Sequence, residues 1–303
     1  MQRVGSLTLC AIALVAANAA AQRAPATALD RIKAAGRVKL GYNPDARPFS
    51  FRDESGNAAG YSVALCLKVA DAIKAELGAG TLTVEWVPVA LADRFTAVQR
   101  GTVDILCGAD TETLERRQMV AFSTPIFPGG IGALVRTDAS ARLKEILSGA
   151  PARQTPNWRA SSTQLLQAQT FAVIGGTTAE PWLNGKLREY KHTAKVTPVT
   201  SFDAGVQAVL GRKANVFFGD RAILLDAAAR PAAGGKLMVL DRFFTHERFA
   251  LVLPRGDEAF RLVVDRALST FFVSGDLAGL YVQWFGEPDE QTLTFYRWNT
   301  LQD

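Results

Sequence analysis

Short apolar strand segments alternate with amphipathic helical segments twice along this chain, and that alternation limits the fold more than any other feature. In the first run, Val38 and Leu40 alternate with charged residues, predicting a strand over Arg37–Tyr42. Leu65, Val69, Ala72, Ile73 and Leu77 follow at helical spacing, and Gly78 supplies the stop. Thr81–Val87 reads as a strand, Ala92–Arg100 as a short helix closed by Gly101, and Val103–Leu106 as a compact apolar strand. The second run repeats the order: strand Phe171–Ile174, helix Glu180–Tyr190, strand Lys195–Val199, helix Asp203–Leu210, strand Val216–Phe218. Strand–helix alternation of this kind calls for mostly parallel sheets covered by helices, an α/β fold. Phe249–Leu253 is a late strand and Arg261–Phe272 a late amphipathic helix. The tail aromatics Trp284, Phe285, Phe295, Tyr296 and Trp298 are expected to dock on the body.

The N-terminus has its own pattern. Arg3 is followed by the uncharged apolar run Leu7–Val15 and then Ala19–Ala21, the charged, apolar, small-residue order of a secretory signal. The run falls short of the roughly 20 residues needed to span a bilayer. Cys10 is preceded by Leu9, not the small residue a lipid-attachment site needs, and apolar sequence continues past it. Cleavage after Ala21 would leave 282 of 303 residues, enough for one large domain or two ordinary ones. It would lower the formal charge only from +5 to +4, with no long basic run, so nucleic acid is not implied. His192 and His246 are isolated, and neither a metal nor a cofactor is implied. Cys66 and Cys107 remain, and in an oxidising compartment they form either a disulfide or two buried thiols.

In open α/β sheets ligands bind beyond the C-terminal ends of the strands. Here that rule selects Cys107–Arg116, Gly175–Glu180 and Gly219–Asp220. Thr177-Thr178-Ala179-Glu180 has capping-box spacing and Pro181 suits a first helical turn, so the segment is either an ordinary capped helix or a carboxylate cradle. Arg116 offers a guanidinium fork that matches a carboxylate, whereas Arg117 reads as a surface residue. Asp220 follows an apolar strand and a glycine. Burial there requires a cation, such as a ligand ammonium; the plainer reading is a helix N-cap.

Five stretches, GRVKLGYNPDARPFSFRDESGNAAGYSV, VQRGTVDILCG, TLERRQMVAFSTPIF, IGGTTAE and GDLAGLYVQWFG, carry a resemblance over Leu29–Gly286 to solute-binding family three of bacterial ABC importers. The resemblance implies a two-lobed type II periplasmic binding fold: lobe one from residues 22–134 and 249–303, lobe two from 135–248, with residues 1–21 as the signal. It implies that Arg116 clamps a ligand α-carboxylate, with Thr111 and the Ala109 backbone beside it. Thr177 and Thr178 would contact the ligand from lobe two, and Asp220 would hold its α-ammonium. The pattern leans toward glutamate/aspartate binders, in which Arg94 helps bind a side-chain carboxylate and cysteines stand at 66 and 107. The chain departs from the pattern at Asn43, where acidic-ligand binders tend to have a base, at Ala46 and Leu91, which are not aromatic, and at Ala64, Ala109 and Asp110.

By this resemblance the chain is a periplasmic, monomeric, non-enzymatic binding protein. It would capture a polar or acidic amino acid by hinge closure, near Gly130–Val135 and Arg248–Val252, and present it to membrane permease subunits. Two other roles use the same fold: an exported dehydratase-like enzyme, and a sensor-type ligand-binding protein. Against the enzyme, no nucleophile–His–carboxylate pattern appears in the sequence.

Overall fold

A computed structural model describes residues 27–149 and 162–302. The predicted signal, Cys10 and the loop around Pro151 and Pro156 lie outside the described residues. In chain order the strands are β1 (Arg37–Tyr42), β2 (Asp45–Ala46), β3 (Ser50–Arg52), β4 (Ala58–Ala59), β5 (Thr83–Pro88), β6 (Ile105–Thr111) and β7 (Ala121–Phe122). They continue as β8 (Phe127–Gly129), β9 (Ile131–Arg136), β10 (Thr170–Ile174), β11 (Lys195–Val199), β12 (Val216–Asp220), β13 (Leu237–Val239) and β14 (Glu247–Leu253).

Two large sheets share one plan. The first has the order β5-β1-β6-β14-β7, with β8 also on β14; the second has the order β11-β10-β12-β9-β13. In each, three strands are parallel and a fourth, drawn from far along the chain, pairs antiparallel beside them: β14 on β6, β9 on β12. Parallel neighbours cannot be joined by a hairpin, so helices Tyr61–Glu76 and Arg94–Gln99 cross over in the first half. Ala179–Glu189 and Phe202–Leu210 do the same in the second. A small sheet, β2-β3-β4, flanks the first. No helix among the described residues is long and apolar enough to cross a membrane.

The helix Tyr61–Glu76 shows how sequence becomes packing. Leu65, Val69 and Ile73 are fully buried, and each such side chain contributes about 2 kcal/mol by leaving water. Gly78 turns left-handed at φ 58° and donates its N–H to the Ala75 carbonyl at 3.0 Å, stopping the helix. Cys66 on this helix and Cys107 on β6 form a disulfide, which decides between the two cysteine alternatives. The bond pins the strand that carries Ala109, Asp110 and Thr111.

The chain passes between the sheets twice. β8 ends at Gly129 in the first sheet and β9 starts at Ile131 in the second; β13 ends at Val239 in the second and β14 starts at Glu247 in the first. Gly130 has φ 156°, and an added Cβ would run into the Thr245 carbonyl of the other passage. Only glycine lets the two segments lie this close. The division expected after residue 134 falls inside β9.

Tail aromatics close the base of the first sheet. Phe285 sits 4.6 Å from Phe127 and 5.3 Å from Phe49, and the Tyr296 and Tyr61 hydroxyls are 2.7 Å apart. Trp298 departs from the expected docking: it is 84% exposed, beyond the reach of this cluster.

Candidate functional site

Two arginines from the first sheet's side meet one carbonyl from the second. Arg94 begins the helix Arg94–Gln99, and its Nη2 donates to the Gly176 carbonyl at 2.9 Å. Arg116 begins a 3₁₀ turn whose first N–H is capped by the Thr113 hydroxyl at 3.1 Å. Its Nη2 reaches the same Gly176 carbonyl at 3.2 Å, and its Nη1 donates to the Thr111 carbonyl at 2.8 Å. The Phe95 ring lies under both guanidinium groups, 4.3 Å from Arg94 and 5.1 Å from Arg116. Burial, then the like charge of Arg94, lower the Arg116 pKa. Arg117 is exposed, as expected, and pairs with Glu112 at 3.4 Å.

Gly176 can present its carbonyl because it turns at φ 72°, a conformation glycine adopts without strain. The helix after it starts differently from the predicted capping box. Thr178 is the N-cap but makes no side-chain capping bond, and Glu180 accepts instead from the Gly176 N–H at 2.9 Å. Thr177 donates its hydroxyl to the Ile174 carbonyl at 2.7 Å, within its own turn, so it does not join the cluster.

Thr111 and Thr178 converge on a carboxylate that the sequence reading missed. Thr111 donates to Glu247 Oε2 at 2.6 Å and Thr178 to the same oxygen at 3.0 Å, while Thr245 donates to Oε1 at 2.8 Å. Glu247 opens β14, one residue before the predicted hinge segment, and that position was its only signal. Asp110, noted in the sequence only as a departure from the family pattern, pairs with Arg94 at the site. It sits near the end of a mostly apolar strand, where the buried-carboxylate argument used for Asp220 applies equally. Its Oδ1 accepts from Arg94 Nε at 2.9 Å. Burial pushes its carboxyl up, and the Arg94 and Arg116 charges pull it back.

Asp220 ends β12 and N-caps the helix Arg221–Ala229 without a side-chain capping bond. Burial, then the Glu247 charge, push its carboxyl up to about 8, against the pull of Arg116. A carboxyl so placed gains from any cation that arrives beside it. Asn43, Arg94, Ala109, Asp110 and Asp220 line one cavity of about 20 Å³ between the two sheets. The Asn43 side-chain oxygen accepts from the Asp45 N–H at 2.9 Å. A cavity of that size holds about one water, so a larger ligand enters only if the two halves part.

The profile of bacterial extracellular solute-binding proteins, family 3, matches residues 38–287. This chain belongs to that family. Among similar proteins is the L-glutamate/L-aspartate-binding protein of Pseudomonas aeruginosa, 29% identical over 282 residues, covering 93% of this chain and 87% of the relative. The glutamate/aspartate import solute-binding protein of Escherichia coli is 25% identical over 289 residues, covering 94% and 89%. In three dimensions the chain resembles the ancestral amino acid-binding protein AncCDT-1, a precursor of cyclohexadienyl dehydratase, with TM-score 0.68, 26% identity and coverage of 86% and 100%. It also resembles the cysteine-binding protein of Campylobacter jejuni, with TM-score 0.70, 21% identity and coverage of 89% and 98%. The two-sheet α/β architecture is therefore the type II periplasmic binding fold.

Proposed function

We propose that this family-3 protein is exported by its N-terminal segment and captures an amino acid between two lobes for an ABC importer in the cell envelope. The observation that carries this reading is the meeting of Arg94 and Arg116 on the Gly176 carbonyl, with Asp220 and Glu247 close enough to act on the same charges. Two guanidinium groups from one lobe hold an oxygen of the other, and a ligand α-carboxylate is a stronger acceptor for the same donors. Asp220 then receives the α-ammonium, a cation that offsets the burial cost of its carboxylate. Thr111, Thr178 and Glu247 frame the zwitterion at the strand that links the lobes. Known relatives of this chain are named as transport binding proteins, which favours binding over catalysis.

Closure follows from contacts that exist only when both lobes are engaged. Arg116 acts from lobe one and Asp220 from lobe two, so one ligand bonded to both holds the lobes together. The test is calorimetry on protein unfolded and refolded to strip bound ligand, titrated with the twenty amino acids and with common dicarboxylates. Saturable one-to-one binding of an amino acid supports the reading. Binding of a dicarboxylate but of no amino acid overturns it.

A further inference from the structure

We propose that Asp110 sets specificity: it engages Arg94 from within the chain, so the site selects amino acids whose side chain carries no net charge. This rests on the amino-acid reading above and narrows its polar-or-acidic range to uncharged side chains.

The Arg94–Asp110 pair is a closed unit. Both side chains are 7% exposed, and the Nε–Oδ1 distance is 2.9 Å. Arg94 Nη1 donates to the Leu91 carbonyl, three residues away on the same lobe, so only Nη2, on Gly176, is released when the lobes part. The strand makes room for this arrangement. Gly108 and Asp110 are two apart on β6 and point to the same face, and a Cβ on Gly108 would collide with Asp110 Oδ2. Gly108 thus leaves the room that the Asp110 carboxylate occupies, and a larger residue there would push that carboxylate aside.

Apart from Asp220, which is assigned to the α-ammonium, and Asn43, the remaining wall of the cavity is apolar, with Ala46, Val89, Leu91, Phe202 and Ile223. Asn43 is the uncharged polar group beside them. With Nη2 given to the α-carboxylate, a ligand side-chain carboxylate placed against Arg94 also faces Asp110, and a side-chain cation placed against Asp110 also faces Arg94. A paired, net-neutral unit rewards neither charge, and a charge brought into an apolar wall without its own partner binds poorly. An uncharged side chain avoids both penalties.

The experiment ranks affinities by calorimetry on refolded wild-type protein. Glutamine, asparagine, serine and leucine are compared with glutamate, aspartate, lysine and arginine. The expected result is that an uncharged amino acid binds at least about tenfold more tightly than any charged one. Asp110→Asn removes the internal charge and should raise glutamate or aspartate affinity at least about tenfold relative to the best uncharged ligand. Wild-type protein that prefers a charged amino acid overturns this proposal and leaves amino-acid capture standing. A folded Asp110→Asn protein with unchanged ranking overturns the role of Asp110. Absence of binding to every amino acid overturns both the capture reading and this proposal. The wild-type ranking decides the specificity question even if the variant does not fold.

Discussion

Raising the pH from about 6 to about 8 should tighten amino-acid capture by roughly fifty-fold, because Asp220 must lose a proton to receive an ammonium. Its carboxyl is pushed up to about 8 by burial and by Glu247, with Arg116 pulling against them and Asp110 and Arg94 acting more weakly. An aspartate in the unfolded chain titrates near ~3.9. The ligand-free fold therefore carries a proton that the unfolded chain releases. Its stabilising effect is fully present below about pH 4 and is lost as the pH rises through about 8. Bound ammonium reverses the preference, since an adjacent cation favours the carboxylate. Capture at neutral pH thus expels a proton. For one group titrating near 8, the ionised fraction grows from about one per cent at pH 6 to about one half at pH 8, and affinity follows it. Dissociation constants at several pH values, with heats in buffers of different ionisation enthalpy, read the affinity and the proton separately. Glu247→Gln removes the main like charge and should shift the rise to lower pH; Asp220→Asn should flatten it. A wild-type affinity that changes less than about threefold over this range, with no proton released, would refute the reasoning.

Three further outcomes follow from the geometry. Arg116→Ala should weaken capture at least about a hundredfold, equivalent to ~2.7 kcal/mol, whereas exposed Arg117→Ala should change it less than about threefold; calorimetry on both variants checks this. Replacing Cys66 and Cys107 by serine frees a cross-link between residues 41 apart, and should lower the unfolding free energy in urea by up to ~4 kcal/mol. Arg47, whose Nε lies 3.1 Å from Asp226 Oδ1, joins the lobes away from the cavity and is half exposed. Arg47→Ala should therefore weaken capture by no more than about fivefold, read by calorimetry, as befits a solvent-screened pair.

The strands and helices were legible wherever apolar periodicity set them. Arg37–Tyr42 and Lys195–Val199 are found at the predicted boundaries. The errors lie where polar residues belong to strands. The strand predicted over Val103–Leu106 runs instead over Ile105–Thr111, because Asp110 and Thr111 pair with Ala250 and Phe249 of β14. The strand predicted over Val216–Phe218 extends to Asp220 through its pairing with Ile131. In both cases the partner strand lies far away in sequence, and a local pattern contains nothing about it. The same limit hid Glu247. Thr245 is two residues away, but the donors that place Glu247 in the site, Thr111 and Thr178, come from 136 and 69 residues away, and no spacing links them. Arg116 and Asp220 stand out in the sequence because each breaks a local rule: a guanidinium beside a sheet's ligand end, and a carboxylate closing an apolar strand.

The site residues also bear on how closure is balanced. In the closed arrangement Gly176 offers one neutral carbonyl to two cations. A ligand carboxylate brings charge-assisted bonds to the same donors, so it displaces a weaker internal acceptor. What it gains is the difference between the two, and only that difference shifts the open–closed equilibrium. The contacts outside the cavity work on other terms. The Arg47–Asp226 pair, and the Asp203 N–H on the Asp45 carboxylate at 3.0 Å, join the lobes without using the residues that line the cavity. They raise the closed population of the free protein and so reduce what the ligand must supply. Affinity and specificity are therefore separable in this chain: the outer contacts and Gly176 act on every ligand alike, while Asp110 and the apolar wall discriminate between side chains.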